Sequence, residues 1–278
     1  MLLCNLLCLI VYFFPTAVVV KGMVREGRTT LTIDITFTRA SSELSIRNGA
    51  ANYGITNNSD QTLTFENQMG LEADMTWAST NIAGGGFIFN EEIDTDGNDF
   101  TFLATNLDNF FTVTDQIIDS GNITKSGAGT ATFSGNNTYT GTTTVEDGTL
   151  TLGHANALGT TAAGTTVDSG ATLALSGGIS VGAEALTLNG TGDSSAGALR
   201  NTSGTNSFSG AITLGSATEI QTDTGTTLTL SGGISGAGQN LTIESIGTTN
   251  ITGAITTATG TLTKQGAGTL TLSGTNTY

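Results

Sequence analysis

The chain has 278 residues with a formal net charge of −15 at pH 7, and only 11% of its residues are charged. Its 55 Thr and 39 Gly residues argue against helical bundles and doubly wound folds, because β-branched Thr suits strands and Gly weakens helices. An acidic chain with eight Lys and Arg residues cannot neutralise a phosphate backbone, so we expect no nucleic-acid binding.

The first 22 residues form an apolar N-terminal segment. Residues 2–20 carry no charge and are nearly all apolar, which is typical of a secretory signal peptide. Val20 and Gly22 would supply small residues before the cleavage site, although about 19 apolar residues also fit an uncut membrane anchor. A start at Met23 is a further alternative. We expect membrane contact through this segment alone, and no disulfide framework beyond it, since both cysteines lie in its first eight residues.

Residues 23–122 are predicted to form an acidic N-terminal part, or cap, of a β-helix. Apolar and polar residues alternate in TTLTIDITFT at 29–38, which predicts a half-buried strand. Shorter strands are predicted at LSIR, TLTF, FIFN and FTFLAT, between Asn, Asp and Gly clusters that favour turns. No Lys or Arg lies between Arg47 and Lys125, and most aromatic residues precede residue 112. The composition therefore changes near residue 122, where a second region, 123–278, begins.

The run EEIDTDGND at 91–99 offers a weak candidate calcium site. Asp94, Asp96 and Asp99 lie beside Gly97, as carboxylates do in calcium-binding loops. Leu103 occupies the position where such a loop needs a bidentate Glu, so a solvated turn is the alternative. Calcium is the only cofactor that the sequence suggests. The sequence predicts no catalytic residue and no cofactor-binding residue.

The region 123–278 contains internal repeats. Residues 123–139, ITKSGAGTATFSGNNTY, match residues 262–278, LTKQGAGTLTLSGTNTY, at 12 of 17 positions. A second pair is TLALSGGIS at 172–180 and TLTLSGGIS at 227–235, and VEDGTLTL at 145 is echoed by VDSGATLAL at 167. The two longer offsets, 139 and 55 residues, are compatible with whole coils of roughly 18 to 28 residues.

These repeats predict an all-β solenoid. Each unit is too small to bury its own apolar face, so it needs a neighbour stacked on it. Short alternating strands with Gly and Asn corners would place Leu, Ile, Val and Ala inside and Thr outside, in about ten to thirteen coils over residues 29–278. Disorder is disfavoured by the single Pro and the alternation. An antiparallel sandwich is disfavoured because Asn-Gly and Asp-Gly pairs are too sparse for regular hairpins.

The stretch ITKSGAGTATFSGNNTYTGTTTVEDGTLTLGHANALG, from residue 123 to 159, resembles the autotransporter-associated β-strand repeat, also called the passenger-associated transport repeat. Lys, Gly-x-Gly, the Thr-rich strand, Ser-Gly, Asn-Thr-Tyr, Thr-Gly and a second strand follow in this order, and the part from Lys to Asn-Thr-Tyr recurs at 262–278. The resemblance implies a right-handed parallel β-helix of irregular repeats on a secreted or surface-displayed passenger, with no catalytic residues to carry over. No translocator barrel or anchor follows Tyr278, so we expect a fragment, truncated at the C-terminus.

The expected function is a non-catalytic passenger scaffold, secreted or at the cell surface, and outer-membrane associated in the full-length protein. Its stacked repeats would support export and present an extended, adhesin-like surface. The expected partners are outer-membrane translocation machinery or surface ligands such as glycans.

The alternative is a carbohydrate-active β-helix enzyme, a lyase or hydrolase, with paired carboxylates on neighbouring coils and an accompanying cation. Cations are scarce, since Arg200 is the only one between Lys125 and Lys264, and the single histidine, His154, is predicted to lie in a surface turn. The paired Thr residues of TLTL, TLTF and TLTK could form hydroxyl ladders like those of ice-binding solenoids. Their irregular spacing along the chain argues against that function.

Overall fold

The computed structural model describes residues 8–11, 18–21, 44–46, 55–58, 60, 62–66, 68–71 and 73–278, and it describes the first three of these ranges as backbone strands only. The predicted strand at 29–38 and most of the apolar segment at 1–22 lie outside the described residues. Among the described residues, no helix is long and apolar enough to cross a membrane.

The described part of the chain is built from short strands and one 3₁₀ turn at Asp193–Ser195. In chain order the strands are β1 (Cys8–Val11), β2 (Val18–Lys21), β3 (Leu44–Ile46), β4 (Thr56–Asn57), β5 (Thr62–Phe65), β6 (Met69–Leu71), β7 (Met75–Ser79), β8 (Gly85–Phe89), β9 (Ile93–Asp94), β10 (Phe100–Ala104), β11 (Asn109–Val113), β12 (Ile117–Ile118), β13 (Ile123–Ser126), β14 (Thr130–Phe133), β15 (Thr143–Val145), β16 (Gly148–Leu152), β17 (Gly164–Val167), β18 (Ala171–Leu175), β19 (Ser180–Val181), β20 (Ala185–Gly190), β21 (Leu199–Asn201), β22 (Thr205–Phe208), β23 (Ile212–Thr222), β24 (Thr227–Leu230), β25 (Ile234–Ser235), β26 (Leu241–Ser245), β27 (Thr248–Ile251), β28 (Ile255–Thr256), β29 (Leu262–Gln265) and β30 (Thr269–Leu272).

The strands from β3 onward stack in parallel along three faces of a β-solenoid with about ten turns. Face 1 contains β4, β7, β10, β13, β15, β17, β20, the start of β23, β25 and β28. Face 2 contains β5, β8, β11, β14, β16, β18, β21, the end of β23, β26 and β29. Face 3 contains β3, β6, β9 and β12, and then β19, β22, β24, β27 and β30. The solenoid prediction is confirmed; β1 and β2 pair antiparallel with each other.

Alternation along each strand divides the side chains between the core and the outer surface. In β16, for example, Leu150 and Leu152 are buried while Thr149 and Thr151 are half-buried on the outer side. The core changes along the solenoid from aromatic to aliphatic. Trp77 and most of the Phe rings stack near the N-terminal end, with the Phe87 and Phe111 centroids 5.1 Å apart, whereas Leu, Ile and Val fill the later coils.

The corners between faces contain different numbers of residues, and this accounts for the differences in coil length. Many corners use a glycine with positive φ, such as Gly127 (φ 76°) and Gly148 (φ 64°), a conformation that costs glycine no steric energy. The ladder of strands runs through residue 122 without a break, because Phe100 pairs with Ile123. The division at 122/123 stays a prediction about composition.

The prediction that repeat offsets correspond to whole coils is wrong. In the first copy, residues 123–139, β13 lies on face 1 and β14 on face 2. In the second copy, residues 262–278, the equivalent β29 lies on face 2 and β30 on face 3. The same rotation by one face relates TLALSGG in β18 to TLTLSGG in β24. Strand and corner, rather than the full coil, are therefore the repeating structural element.

Candidate functional site

The first copy of the repeat is organised around a buried lysine. Lys125 lies on β13, stacked between Phe102 and Val145 of the neighbouring coils, and has no exposed surface. Its Nζ donates to the carbonyl oxygens of Ser126 at 3.1 Å, Gly127 at 2.6 Å and Asp147 at 2.9 Å. Burial lowers the pKa of Lys125 to about 8, and the nearby Asp147 carboxylate partly opposes the shift. The ammonium group thus links its own corner, at Ser126 and Gly127, to the corner of the next coil, at Asp147, through hydrogen bonds.

A second set of buried polar groups lies between this copy and the following coils. The hydroxyls of Tyr139 and Thr143 share a hydrogen bond of 2.6 Å, and Thr143 pairs with Thr165 in the next coil. Thr165 Oγ1 donates to Glu184 Oε1 at 3.0 Å. Burial raises the pKa of Glu184 to about 7, which the Thr165 hydrogen bond partly opposes, and burial also raises the pKa of Tyr139.

The second copy reproduces the local contacts of the first on different faces. Lys264 Nζ donates to the carbonyls of Gln265 and Gly266, both at 2.7 Å, as Lys125 does to Ser126 and Gly127. The amide of Ile255 donates to Asn276 Oδ1 at 2.9 Å, as the amide of Ile117 does to Asn137 Oδ1 at 2.8 Å. The equivalent residues therefore have the same roles in both copies.

The two copies differ in what covers them. Lys125 is buried under β15, whereas Lys264 is exposed, and among the described strands none pairs with the outer edges of β29 and β30. Leu262, Leu270 and Leu272 are accordingly only partly buried.

Comparison with known proteins agrees with this internal correspondence. The family model described as Passenger-associated-transport-repeat matches residues 123–152 and 262–278. Two segments of the chain are thus similar to the passenger-associated transport repeat. No curated protein and no solved structure matches the chain significantly.

Both matched segments include the motif lysine, its Gly-x-Gly corner and the following Thr-rich strand. The first segment continues through β15 and β16, which are the strands that cover Lys125 and Phe133. In structural terms, the longer match therefore contains a repeat together with the coil that buries it.

The calcium candidates lie close in sequence but are held by other contacts. Asp94 Oδ1 accepts the amide of Asp96, and Asp99 Oδ1 accepts the backbone amide and side-chain amide of Asn122. The amide of Asp99 itself donates to Asp74 Oδ1 at 2.9 Å. Within the described residues, no group of three or more His, Cys, Asp or Glu side chains is placed to hold a metal ion. Weak calcium binding by Asp94, Asp96 and Asp99 stays a prediction.

Other chemically active side chains lie on the outer surface, away from the buried groups of the first repeat. His154 lies in a turn, where its Nδ1 accepts the amide of Asn156 at 3.1 Å. Glu219 and Glu244 lie together on neighbouring coils of face 2, and the pKa of Glu219 is raised by burial and by the adjacent Glu244. The nearby Arg200 is paired with Asp223 at 2.9 Å. Glu219 and Glu244 thus form a carboxylate pair, and Arg200 and Asp223 form an ion pair close to it.

Sequence reasoning missed two features of the site. It assigned Lys125 to the repeat motif without predicting that a charged side chain would be buried, and it did not single out Glu184. The recurrence of a lysine before Gly-x-Gly could have indicated the burial of Lys125. A charged residue that recurs at a core-facing strand position needs a set of buried hydrogen-bond acceptors. Glu184 lies in the short corner between β19 and β20, and no sequence pattern marks it.

Proposed function

We propose that this chain is a non-catalytic passenger scaffold of an autotransporter, secreted or displayed at the outer surface of the cell. Its role is to cross the outer membrane unfolded and to coil into a solenoid outside. The observation that carries this proposal is the passenger-associated transport repeat, present as a stacked element in a parallel β-solenoid.

Folding by stacking supports the export role. Each new coil buries apolar side chains on the previous one, worth roughly 1.5–3 kcal/mol per fully buried Leu or Phe, against the cost of ordering the backbone. Phe133 and Tyr139 in the first repeat are fully buried, as are Leu150 and Leu152 above them. The first repeat therefore has the contacts of a stable folding nucleus, and later coils can stack on it. Coils folded outside the cell would prevent the exported chain from sliding back through the membrane.

The proposed partners follow from this role. During export, the unfolded chain contacts outer-membrane translocation machinery, and the folded rod then presents its faces and corners to surface ligands such as glycans. The exposed corner residues Ile82 and Leu107, on successive coils between faces 1 and 2, are candidate contact points for such adhesion.

The test is surface display of the chain joined to a signal peptide and an outer-membrane translocator domain. Three versions are compared: the natural sequence, a double variant with Phe133→Asp and Tyr139→Asp, and His154→Ala. Two buried carboxylates without partners should prevent nucleation, slowing refolding from denaturant and reducing the fraction accessible to external protease.

His154→Ala removes one turn contact and should refold and display like the natural sequence. Efficient display of the double Asp variant would remove the nucleus role. Failure of the natural sequence to reach the surface would remove the passenger function itself.

A further inference from the structure

The outer surface of face 1 carries one unbroken column of hydroxyl side chains. Strand pairing places a Thr or Ser at the same outward position of nine successive coils. We call this column the Thr ladder: Thr76, Thr101, Thr124, Thr144, Thr166, Thr187, Thr213, Ser235 and Thr256.

The ladder is regular in space although it is irregular along the chain. Successive members lie 20 to 26 residues apart, from Thr124 to Thr144 at the shortest and from Thr187 to Thr213 at the longest. The corners take up the difference, so the strand positions still coincide. Parallel strands are ~4.8 Å apart, which sets the spacing between successive hydroxyls.

The Thr ladder on face 1 is more uniform than the outward columns of faces 2 and 3, although all three faces are built from the same Thr-rich chain. On face 2 the equivalent outward column runs through Thr64, Ile88, Thr112, Thr132 and Thr151 and continues with Ala174, Arg200, Gln221, Glu244 and Gln265. On face 3 the longest Thr run covers four strands, at Thr205, Thr227, Thr248 and Thr269. High strand propensity alone would have produced similar columns on all three faces.

Eight of the nine ladder hydroxyls are also free to bind solvent. No described residue hydrogen-bonds the hydroxyls of the first eight members, and Thr256 Oγ1 donates to the carbonyl of Ile234 at 3.4 Å. Outward Thr residues at the strand ends behave differently: Thr114 and Thr202 donate to backbone carbonyls of the preceding coil. The first eight members therefore present a row of hydroxyl groups to water, with a methyl group beside each Thr hydroxyl.

The flanks of the ladder are small and uncharged in the C-terminal half. Two residues before Thr187, Thr213, Ser235 and Thr256 stand Ala185, Ala211, Gly233 and Ala254, which follow one another from coil to coil. On the other side, Asn189 and Gly215 stand two residues after Thr187 and Thr213. In the earlier coils, charged residues such as Glu146 and Asp168 border the ladder.

We propose that the Thr ladder from Thr187 to Thr256 is an ice-binding surface. Each hydroxyl can donate one hydrogen bond and accept two, which reproduces three of the four hydrogen bonds that a lattice water makes, while the methyl groups of the Thr members leave adjacent waters ordered over an apolar patch. The coil spacing is close to the repeat of water molecules along one axis of hexagonal ice. Rigid strands hold the hydroxyls at this spacing before contact, which lowers the entropy lost on binding.

The chemistry of the surface favours ice over a crystalline polysaccharide. The aromatic residues on face 1, Trp77, Phe100 and Phe102, point into the core, so the ladder offers no ring for stacking on a sugar. The proposed segment also carries no carboxylate or cation among the ladder and flanking residues named above, which leaves few groups to recognise a specific sugar.

The test measures ice recrystallisation inhibition and thermal hysteresis on the full chain, with serum albumin as the negative protein. The natural sequence should be active. A pair of substitutions on the ladder, Thr187→Tyr with Thr213→Tyr, places bulky rings over adjacent coils and should raise the concentration needed about tenfold, the equivalent of ~1.4 kcal/mol of binding free energy.

The matched control is Thr132→Tyr with Thr151→Tyr, a pair in register on adjacent coils of face 2. Both pairs replace outward Thr residues, so both should melt like the natural sequence, and the control should keep its ice activity. Inactivity of the natural sequence, equal loss in the two pairs, or binding to insoluble cellulose or chitin without ice activity would each overturn the proposal.

Discussion

The buried lysine of the first repeat connects two coils through backbone carbonyls. Removing it leaves the carbonyls of Ser126, Gly127 and Asp147 without their donor, and each unsatisfied buried polar group costs about 1–3 kcal/mol. Relief of the desolvated charge offsets part of that cost. We expect Lys125→Met to lower the free energy of unfolding by about 1–3 kcal/mol in denaturant titrations.

Lys264→Met is the matched control for this prediction. Lys264 makes the same two local hydrogen bonds, but it is exposed and water can replace them. Its loss should change the unfolding free energy by less than about 0.5 kcal/mol, the usual range for surface substitutions. Equal effects of the two substitutions would show that burial by the next coil does not strengthen the lysine contact.

Glu184 makes the stability of the solenoid depend on pH. Its pKa is raised to about 7 in the folded chain, so between the unfolded value of 4.5 and about 7 the folded state binds more protons than the unfolded state. The free energy of unfolding should therefore fall as the pH rises through this window. Glu184→Gln, which cannot ionise, should flatten the fall and stabilise the protein at pH 8 by about 1–3 kcal/mol.

Thermal melts of both proteins between pH 4 and pH 8 provide the measurement. Thr165 faces Glu184 directly, Tyr139 lies within its electrostatic reach, and neither titrates below pH 8. An identical pH dependence in the natural and Gln proteins would assign the effect to other carboxylates.

At the residue scale, the sequence predicts which positions face inward but not the energetics of the polar ones. Leu150, Leu152 and Phe133 are buried as the alternation predicts. Lys125 and Glu184 break the rule that ionised groups stay outside, because their partners are a carbonyl set and a hydroxyl contributed by other coils. Contacts between residues about 20 positions apart cannot be read from local patterns.

Among the structural elements, the glycine corners determine how closely successive coils approach. Gly127 has φ 76°, and a Cβ there would lie 2.4 Å from the carbonyl oxygen of Ala104 in the coil below. Gly170 has φ 96°, but a Cβ at that position would meet nothing within 4 Å. Both substitutions to Ala incur about 1–2 kcal/mol of left-handed strain, and only Gly127→Ala adds a backbone clash.

We therefore expect Gly127→Ala to destabilise the protein more than Gly170→Ala does, by a margin visible as a lower melting temperature. Differential scanning calorimetry of the two variants makes the comparison. A smaller effect at Gly127 would mean that the coils can separate at this corner without loss.

The strands themselves follow the sequence closely, but their assignment to faces does not. The predicted TLTF and FTFLAT strands correspond to β5 and β10. The prediction that the copies are separated by whole coils was wrong because a corner can hold one residue or several. The number of residues between two copies therefore does not fix how far the chain has turned around the solenoid axis. For the same reason, the irregular sequence spacing of Thr hid the ladder on face 1.

On the scale of the whole molecule, the coil formed by the second repeat is less covered than the coil formed by the first, within the described residues. In β14 the alternate residues Ala131 and Phe133 are fully buried, whereas the equivalent Leu270 and Leu272 in β30 are only partly buried. Local opening costs least where the fewest apolar contacts are lost. Amides of β29 and β30 should therefore exchange with deuterium much faster than those of β13 and β14.

Hydrogen exchange followed by mass spectrometry can compare the two segments in one sample, since their sequences are similar and their intrinsic rates are close. Equal protection in both repeats would mean that the solenoid opens as one cooperative unit. A gradient of protection toward the first repeat would instead agree with its proposed role as nucleus.

The overall architecture was the most predictable level. Alternating strands, units too small to fold alone and recurrent Gly corners together required stacking, and a solenoid follows from that requirement. The direction of pairing was less certain from local signals, because it depended on the scarcity of hairpin turns and on the resemblance to a repeat family.

Because the second repeat lies one face further round than the first, a gene duplication need not add a whole number of coils to give a foldable chain. Each motif brings its own lysine, corner glycine and asparagine contacts, and these are satisfied both where the motif begins on face 1 and where it begins on face 2. Unequal recombination between repeats would shift every later strand around the axis and still leave it with a parallel partner. The length of a solenoid built from this motif can therefore change in steps smaller than one turn without loss of strand register.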